Sequence, residues 1–380
     1  MNSIISLGLF KESGGPTKTI SYFQKALSAE VYAFCKVEEV VNSPLALENS
    51  FPVLSYRMPL LSHFCVPPAT DCKQAELALA KSNVISVHSF YRYHNIWVNK
   101  MSKRYHVPYW FVPHGILDPW VMEKGSTVKK LYWKMGGKRF VDQSSTVIFS
   151  TTAERDKALY QFDLPSTEVI PWPVKLVDIS RRNERRRILR ETLGIPESAK
   201  VLLYFGRLHS MKRPLGTIAA FATGGGDNLH LLIVGNEQDV TLKDCFLTAE
   251  KYNVDKRVHL IGPIYGEKKY DYLMASDAYI SLSYRENFNH TAAESLSVGL
   301  PLILSPGNDL QGDIYSARCS WNLNDNEIKS ASNVIEEFTN LDHTVLSHMG
   351  MRGRQWVELN LKFKTFQERL QLLATKYGKC

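Results

Sequence analysis

The sequence predicts an α/β protein made of two Rossmann-like, doubly wound domains that face a central cleft. Short apolar runs alternate with segments of helical length along the chain, which is typical of parallel βαβ units. The chain has 380 residues, enough for two domains of roughly 150–200 residues each. A Pro-Trp-Pro segment at 171–173, followed by an arginine-rich run at 181–190, separates two such alternating patterns.

The first pattern predicts a domain over residues 1–172. Its first strand is expected at 3–9, followed by a glycine turn and by an amphipathic helix with Ile20, Phe23 and Leu27 on one face. Further strands are expected at 84–88, 108–112 and 146–149.

The second pattern predicts a domain over residues 173–355. Strands are expected at 201–205, 230–234, 258–261, 278–282 and 301–304, with a helix at 290–298. The segment 351–377 is predicted to be one long helix, and residues 356–380 are assigned to a separate terminal helical segment.

Composition narrows the class of protein. With 44% hydrophobic and 22% charged positions, a globular protein is expected. The six cysteines are scattered, without a CxxC pair, so we expect neither a disulfide scaffold nor a zinc site and place the protein in the cytoplasm. No basic region precedes the first apolar run, and no run approaches the roughly 20 residues of a membrane span.

The net charge of +8 is unevenly distributed. Residues 100–139 contain nine Lys and Arg but only two acidic residues, and Tyr132 and Trp133 lie among the lysines at 129, 130 and 134. Two interpretations fit this pattern: a solvated basic face, or a surface that contacts anionic lipid headgroups. Nucleic acid is not expected as a partner, because no motif of a nucleic-acid-binding module accompanies the charge.

The strongest functional signal is the segment 284–294, Y-R-E-N-F-N-H-T-A-A-E. It lies between two predicted strands, and therefore forms a loop that enters a helix at the ligand-binding edge of a sheet. Asn289 is predicted to cap this helix, whose first-turn amides then face an anion or sugar hydroxyls. Glu286 and Glu294 are two carboxylates that suit a polyhydroxylated ligand, although both could be ordinary solvated acids.

A second signal is the segment 205–212, F-G-R-L-H-S-M-K. Arg207 and Lys212 fall in the first βα loop of the second domain. Two cations there suit a diphosphate leaving group, whose negative charge grows in the transition state. A pair of solvated basic residues is the alternative.

Two weaker signals lie in the first domain. His114 directly follows a predicted strand in a Pro-His-Gly turn, which would project it into the cleft. Gly15 lies in the turn after the first strand, where glycine permits close approach of a ligand to the backbone. Both residues are also compatible with purely structural roles.

Taken together, these motifs resemble the group 1 family of retaining glycosyltransferases, the family-four members of the GT-B fold. The resemblance covers nearly the full length and is strongest in the second half. It implies a nucleotide-sugar donor, a glycan or lipid-linked saccharide as acceptor, and no cofactor. It also implies a task in cytoplasmic polysaccharide or lipopolysaccharide biosynthesis, with the basic first domain at the inner membrane face.

The resemblance assigns roles to individual residues. Glu286 and Glu294 match the family's E-x7-E motif, which implies that they contact the donor-sugar hydroxyls and the ribose, respectively. Arg207 and Lys212 match the diphosphate-binding pair. The donor-binding residues implied in addition are Ile264, whose segment resembles the loop against the nucleobase, and Phe288, Asn289 and Thr291.

In the first domain, the resemblance implies that the Gly15 amide approaches the donor phosphate and that His114 lies beside the donor sugar and assists transfer. The final helix resembles one that crosses back to the first domain. The chain departs from the family at Asn289, where glycine is usual, and at Arg213-Pro214, where a glycine is common.

Other functions remain to be weighed against this one. A nucleotide-sugar epimerase of the same fold and a non-catalytic nucleotide-sugar-binding protein are the alternatives, although pure binding would not require all five of His114, Arg207, Lys212 and the two glutamates. A dinucleotide-dependent oxidoreductase is not expected, because no G-x-G-x-x-G follows a strand. A hydrolase would show GxSxG or HExxH, and a metal-dependent transferase Asp-x-Asp; none occurs, so no metal is expected.

Overall fold

The computed structural model describes residues 2–9, 15–42, 47–55, 67–123 and 126–379. The chain divides into two compact units, Met1–Pro173 with Phe363–Cys380, and Val174–Lys362. Each unit is built on one parallel sheet whose strands alternate with helices. The predicted α/β class with two parallel-sheet domains is confirmed.

The first unit contains a seven-stranded parallel sheet. Its strands are β1 (Ser3–Leu7), β2 (Glu30–Lys36), β3 (Ser50–Ser55), β4 (Ile85–His88), β5 (Tyr109–Val112), β6 (Thr146–Phe149) and β7 (Thr167–Val169). They are arranged in the order β3-β2-β1-β4-β5-β6-β7. The chain therefore winds away from β1 in one direction through β2 and β3, and in the other direction from β4 onward.

The helices of this unit cover both faces of the sheet, as the burial of its central strands requires. From the first part of the chain they are α1 (Gly15–Leu27), α2 (Val37–Asn42), α3 (Lys73–Ala80), α4 (Tyr93–Tyr105), α5 (Pro119–Glu123), α6 (Ser126–Tyr132), α7 (Lys138–Asp142) and α8 (Thr152–Gln161), and a further helix comes from the end of the chain. Every residue of β4, β5 and β6 is buried. Continuous apolar runs such as Tyr-Trp-Phe-Val in β5 suit strands that are covered on both faces.

The second unit contains a six-stranded parallel sheet. Its strands are β8 (Lys200–Phe205), β9 (Leu229–Val234), β10 (Val258–Ile261), β11 (Ala278–Ser281), β12 (Leu302–Leu304) and β13 (Ser320–Asn322), in the order β10-β9-β8-β11-β12-β13. Its helices are α9 (Arg182–Leu193), α10 (Pro214–Gly224), α11 (Leu242–Lys251), α12 (Lys269–Ala275), α13 (His290–Ser297), α14 (Leu310–Asp313), α15 (Ile328–Asn340) and α16 (His343–Asn360).

The arginine-rich run forms α9, which is fixed to the sheet by the buried Asp277. Arg190 is 2% exposed and its Nη2 lies 2.7 Å from Asp277 Oδ2, while Arg186 Nη1 lies 2.8 Å from Oδ1. The same carboxylate accepts a hydrogen bond from the backbone N–H of Val201 at the start of β8. One carboxylate thus satisfies two arginines and one strand amide.

The prediction of one helix over 351–377 is wrong. Helix α16 ends at Asn360, and a separate helix, α17 (Phe363–Tyr377), begins three residues later. Leu361 is buried between them, and its carbonyl accepts a hydrogen bond from the Val174 N–H, which requires the chain to leave the helical path. Residues 356–360 therefore belong to α16 and the second unit, and only the segment from Phe363 onward belongs to the first.

Helix α17 packs on α1 inside the first unit. The ring of Phe366 lies 5.2 Å from that of Phe23 and 6.3 Å from that of Trp172, in edge-to-face geometry. None of the helices in the described part of the chain has the length and apolar character that a membrane span requires.

Candidate functional site

The loops after β8 and β11 meet at the switch point of the second sheet. These two strands are neighbours, although β9 and β10 lie between them in sequence, so the connections from them leave in opposite directions. Ligands of open parallel sheets bind at the carboxyl ends of strands beside such a point. The loop after β8 carries Arg207 and Lys212, and the loop after β11 carries Glu286 and Asn289.

The two loops contact each other directly. The backbone N–H of Tyr284 donates to the Met211 carbonyl over 2.9 Å. The Lys212 ammonium forms an ion pair with Glu286 Oε2, and both side chains are mostly buried. An anionic group that reaches Lys212 therefore also lies next to Glu286.

The pKa of Lys212 is unusually low for a lysine. Burial lowers its pKa to about 7, and the like charges of Arg207 and Arg285 lower it in the same direction. The Glu286 carboxylate in contact with it favours the charged form. Arg207, Lys212 and Arg285 therefore form a basic cluster, and an added anion would favour the charged form of Lys212.

Arg207 is exposed at the rim of this cluster. Its Nη1 donates to Gln238 Oε1 over 3.3 Å, and its carbonyl accepts a hydrogen bond from the Tyr204 hydroxyl. The backbone is thus held at the end of β8 while the guanidinium remains accessible to a ligand.

The loop that carries Glu286 is supported by the neighbouring loop after β12. The Glu286 N–H donates to the Gly307 carbonyl over 2.7 Å, and the Asp309 N–H donates to the Glu286 carbonyl over 2.9 Å. A side chain at Gly307 would overlap the backbone of Ser283 and Tyr284, so glycine is required for this close approach.

Asn289 caps α13, as predicted from the sequence. Its backbone is left-handed, with φ of 48°, and its Oδ1 accepts a hydrogen bond from the Ala292 N–H. Its Nδ2 donates to Asn308 Oδ1 over 2.8 Å, and Asn308 in turn donates to the Ser281 carbonyl. A buried polar network therefore fixes the start of α13 to the end of β11.

Glu294 is a buried residue of α13 and not a solvated surface acid. It is 4% exposed, and its Oε1 lies 2.5 Å from the Nζ of Lys269 on α12. The ion pair orients the carboxylate of Glu294 on α13.

The remaining predicted donor-binding residues of this unit surround the same edge. Phe288 is buried and packs edge-to-face on the ring of His290, while Thr291 lies half-buried in the first turn of α13. Ile264 is half-buried in the loop after β10. Between Glu286 and Phe288, the buried Nδ2 of Asn287 has no hydrogen-bond partner among the described residues. It is a donor available to a ligand.

Gly15 and His114 lie in the first unit. Gly15 is the exposed first residue of α1, after β1, while Gly14 lies outside the described residues. His114 follows β5 and is half-buried, with a left-handed φ of 52° that continues at Gly115 with φ of 76°. Burial lowers the pKa of His114 to about 4, so its imidazole is neutral.

A buried carboxylate fixes the turn that carries His114. Glu154 Oε1 accepts the Gly115 N–H over 2.6 Å, and Oε2 accepts the Ser150 N–H and hydroxyl over 2.9 and 2.6 Å. The ring of His114 meets that of His88 edge to edge, with His114 Nε2 2.9 Å from His88 Nδ1 and the centroids 5.2 Å apart.

Sequence reasoning missed Lys269, Asn308, His88 and Glu154. Asn308 follows a Pro-Gly pair at the carboxyl end of a predicted strand, a signal that could have identified it. His88 ends a predicted strand in the same way. No sequence signal distinguishes Lys269 from the exposed Lys268 beside it, or Glu154 from other acids near helix starts.

Residues 185–356 match the family model described as glycosyl transferases group 1. This match covers less than half of the chain and shows that the segment is similar to the group 1 glycosyltransferases. The resemblance inferred from the sequence is supported for this segment, which includes Arg207, Lys212, Glu286 and Glu294.

The individual relatives of this chain are distant. The D-inositol 3-phosphate glycosyltransferase of Xylanimonas cellulosilytica is 25% identical over 177 residues, 44% of this chain and 42% of the relative. The alpha-monoglucosyldiacylglycerol synthase of Streptococcus pneumoniae is 26% identical over 231 residues, 58% of this chain and 50% of the relative. The matches thus span about half the length of these relatives.

Solved structures are similar in fold to this chain over nearly its whole length. Anabaena HepE in complex with UDP and glucose is similar with a TM-score of 0.77 at 14% identity, covering 99% of this chain and all of that one. At this level of identity, the likeness establishes the shared GT-B fold.

Proposed function

We propose that this protein is a retaining, metal-independent glycosyltransferase that moves a sugar from a nucleotide-diphosphate donor to a glycan or lipid-linked saccharide. The main support is the group of charges at the β8–β11 switch point. Lys212 and Glu286 are in contact there, with Arg207 beside them and Asn289 and Glu294 on the adjoining helix. Cations for a diphosphate and carboxylates for hydroxyl groups are the two kinds of group that a nucleotide sugar needs.

In the proposed reaction, the bond between the anomeric carbon and the diphosphate oxygen breaks, and the diphosphate leaves with the electron pair. The acceptor hydroxyl attacks the anomeric carbon on the same face and passes its proton to the departing phosphate. Arg207 and Lys212 stabilise the negative charge that grows on the leaving group. Glu286 accepts hydrogen bonds from the donor sugar, with the Asn287 amide as a further donor, and Glu294 accepts from the ribose.

A ligand screen tests the donor class. Thermal shifts are measured with UDP, GDP, ADP, their sugar conjugates and NAD. A nucleotide sugar at a hundredfold excess over its Kd stabilises the binding unit by about 2.7 kcal/mol. A shift with NAD and none with any nucleoside diphosphate or nucleotide sugar contradicts the proposal.

The acceptor side of the proposal includes an anionic membrane surface. Exposed apolar and basic side chains alternate on α6 and on the π-helical turn that follows it, Trp133–Gly137. Val128, Leu131 and Met135 are each more than half exposed, and Lys130 and Lys134 are exposed beside them. Apolar groups that enter an interface, flanked by cations that attract anionic lipids, are typical of peripheral membrane binding.

The relatives support a lipid-linked acceptor. The Streptococcus pneumoniae relative is, by its name, a synthase of a monoglucosyldiacylglycerol. A crystal structure of WaaG, a glycosyltransferase of lipopolysaccharide biosynthesis, has a TM-score of 0.69 and 14% identity to this chain. On this basis we also propose that the protein acts in the cytoplasm at the inner membrane face, in surface polysaccharide or lipopolysaccharide assembly.

Vesicle sedimentation tests the membrane surface. The double change Lys130→Glu and Lys134→Glu should weaken binding to anionic vesicles, with the effect largest at low salt. Lys129 is left unchanged, because its ammonium donates to the Val121 carbonyl and its loss would disturb the fold. The matched control changes two exposed lysines of the second unit, Lys243→Glu and Lys256→Glu, and alters net charge equally.

Equal loss of vesicle binding in both double variants would show that only net charge matters. If the wild type binds neutral and anionic vesicles equally, or binds neither, these residues form an ordinary solvated face. A soluble glycan would then be the favoured acceptor. Leu131→Ser with Met135→Ser separately measures the apolar contribution.

A further inference from the structure

A buried histidine connects His114 to a serine inside the first sheet. His88, the last residue of β4, is fully buried. Its Nδ1 lies 2.9 Å from His114 Nε2, and its Nε2 lies 2.9 Å from the hydroxyl of Ser86, which is also fully buried. Each ring nitrogen of His88 therefore has one hydrogen-bond partner.

We infer that Ser86 and His88 are positioning residues that hold His114 in its Nδ1–H tautomer. As a consequence, His114 presents a hydrogen-bond donor to the ligand and cannot act as a base through that nitrogen. The role in transfer rests on the proposed function, whereas the tautomer does not.

The assignment follows from counting protons along the chain of contacts. Among the described residues, the only hydrogen-bond partner of the Ser86 hydroxyl is His88 Nε2, so the hydroxyl hydrogen must be donated there. His88 Nε2 is then an acceptor, and a neutral His88 carries its hydrogen on Nδ1. That hydrogen is donated to His114 Nε2, which leaves Nδ1 as the protonated nitrogen of a neutral His114.

The reverse arrangement is disfavoured by burial. If His88 Nε2–H donated to Ser86, the serine hydrogen would lie buried without an acceptor, at the cost of a lost hydrogen bond. Extra protons on the rings are also disfavoured. Burial and the neighbouring rings of His114 and His94 hold the pKa of His88 well below its usual range, and burial lowers that of His114 to about 4.

Packing keeps this arrangement rigid. Phe23 contacts the His88 ring edge-to-face at 4.8 Å, and His94 Nε2 bonds to the His88 carbonyl over 3.1 Å. The His114 ring is joined to His88 through the contact between the two ring nitrogens, and its backbone is held through Gly115 by Glu154. The tautomer is therefore set by a preorganised network, as expected for a group that must present one donor to a ligand.

Nitrogen-15 NMR of histidine-labelled full-length protein tests the tautomer directly and needs no substrate. The wild type should show His114 protonated at Nδ1. Ser86→Ala, which removes the proton donor to His88 Nε2 with a small change in volume, should populate the Nε2–H form of His114. His88→Gln should do the same, because it places its amide near the former Nε2.

His88→Asn serves as the rescue variant, since its amide N–H lies near the former Nδ1 and can still donate to His114 Nε2. It should restore the Nδ1–H form. The chain also offers a matched control: His230 and His259 form a second ring pair, with Nδ1 and Nε2 3.0 Å apart and centroids 5.2 Å apart. His230→Gln, which removes the nitrogen that faces His259, breaks this pair and should leave the His114 signals unchanged.

Kinetics with a donor identified by the ligand screen adds a second readout. Ser86→Ala should lower kcat by about tenfold or more with little change in the donor KM, and His88→Asn should recover most of the loss relative to His88→Gln. An Nε2–H tautomer in the wild type, or an unchanged tautomer in both Ser86→Ala and His88→Gln, overturns the inference. If no nucleotide sugar is transferred, the proposed function fails while the NMR result still decides the tautomer.

Discussion

Lys212 should make nucleotide-sugar affinity depend on pH near neutrality. Its pKa is lowered to about 7 by burial and by two neighbouring guanidinium groups. Of the two forms of the Lys212 side chain, only the ammonium attracts a diphosphate, so affinity should be greatest below pH 7 and should fall as the pH rises through that value. A nucleotide sugar is the ligand of choice, because its diester diphosphate does not titrate in this range.

The size of the effect follows from the charged fraction of the amine. With a pKa of about 7, roughly nine-tenths of the molecules carry the charge at pH 6 and roughly one-tenth at pH 8. The apparent Kd is the intrinsic value divided by this fraction, so it should rise about tenfold between pH 6 and pH 8. The bound diphosphate favours the ammonium form, so binding above pH 7 should also take up a proton.

Isothermal titration calorimetry in buffers of different ionisation enthalpy measures both the affinity and the proton uptake. Lys212→Arg is the matched control, because a guanidinium stays charged over this range and its affinity should not vary with pH through this residue. Glu286→Gln removes the carboxylate that favours the charged amine and should move the midpoint to lower pH. A flat profile in the wild type, or the same slope in Lys212→Arg, would refute the reasoning.

Three further predictions concern the chemistry and the fold. Arg207→Ala and Lys212→Ala should each lower kcat by about 10²–10³, because each removes one preorganised charge. Near-wild-type rates in both variants would contradict the assigned roles. The wild-type enzyme should keep its rate in the presence of EDTA. NMR of the product from an α-linked donor should show an α-linkage, and an inverted centre would exclude same-face transfer. Asp277→Ala should lower the free energy of unfolding of the second unit by about 3–5 kcal/mol in urea, because it leaves the buried Arg190 without its carboxylate. The control is Asp142→Ala, which removes the exposed ion pair with Lys138 and should cost about 1 kcal/mol or less.

Several buried strands could be predicted because their residues are apolar almost throughout, although the buried β2 was missed. The predicted bounds of β6 agree with the structure at both ends, and those of β4, β5, β8 and β11 agree to within one residue. This is expected for strands that are buried on both faces. β3 was missed because Pro52 lies within it, which is tolerated because β3 is at the edge of the sheet. β13 was missed because it has three half-buried residues and no apolar run.

Of the candidate site, only the residues in loops at the carboxyl ends of predicted strands could be predicted from the sequence. Lys212, Glu286 and Asn289 lie in the loops that follow β8 and β11, so the geometry of parallel sheets places them at one edge. Lys269 pairs with Glu294 from a helix 25 residues earlier, and Asn308 meets Asn289 across 19 residues. Such pairs depend on how α12 and the loop after β12 pack, which local periodicity does not encode.

Asn289 shows how the chain accommodates a residue where the glycosyltransferases that it resembles usually have glycine. A left-handed φ of 48° is unfavourable for most side chains, and asparagine tolerates it better because its short polar side chain can bond locally. Here that side chain caps α13 at Ala292 and donates to Asn308, while the Tyr279 hydroxyl donates to its Oδ1. The buried hydrogen bonds offset the backbone cost, so the residue stabilises the loop in a way that glycine cannot.

Asn289→Gly should therefore separate stability from ligand binding. The backbone can keep its conformation, so affinity for a nucleotide sugar should stay within a few-fold of wild type. Loss of the cap and of two buried hydrogen bonds should lower the free energy of unfolding of the second unit by about 1–3 kcal/mol. Urea unfolding and calorimetry measure the two quantities on the same protein. An unchanged stability would mean that the network contributes nothing, and a lost affinity at unchanged stability would mean that the Asn289 side chain itself contacts the donor.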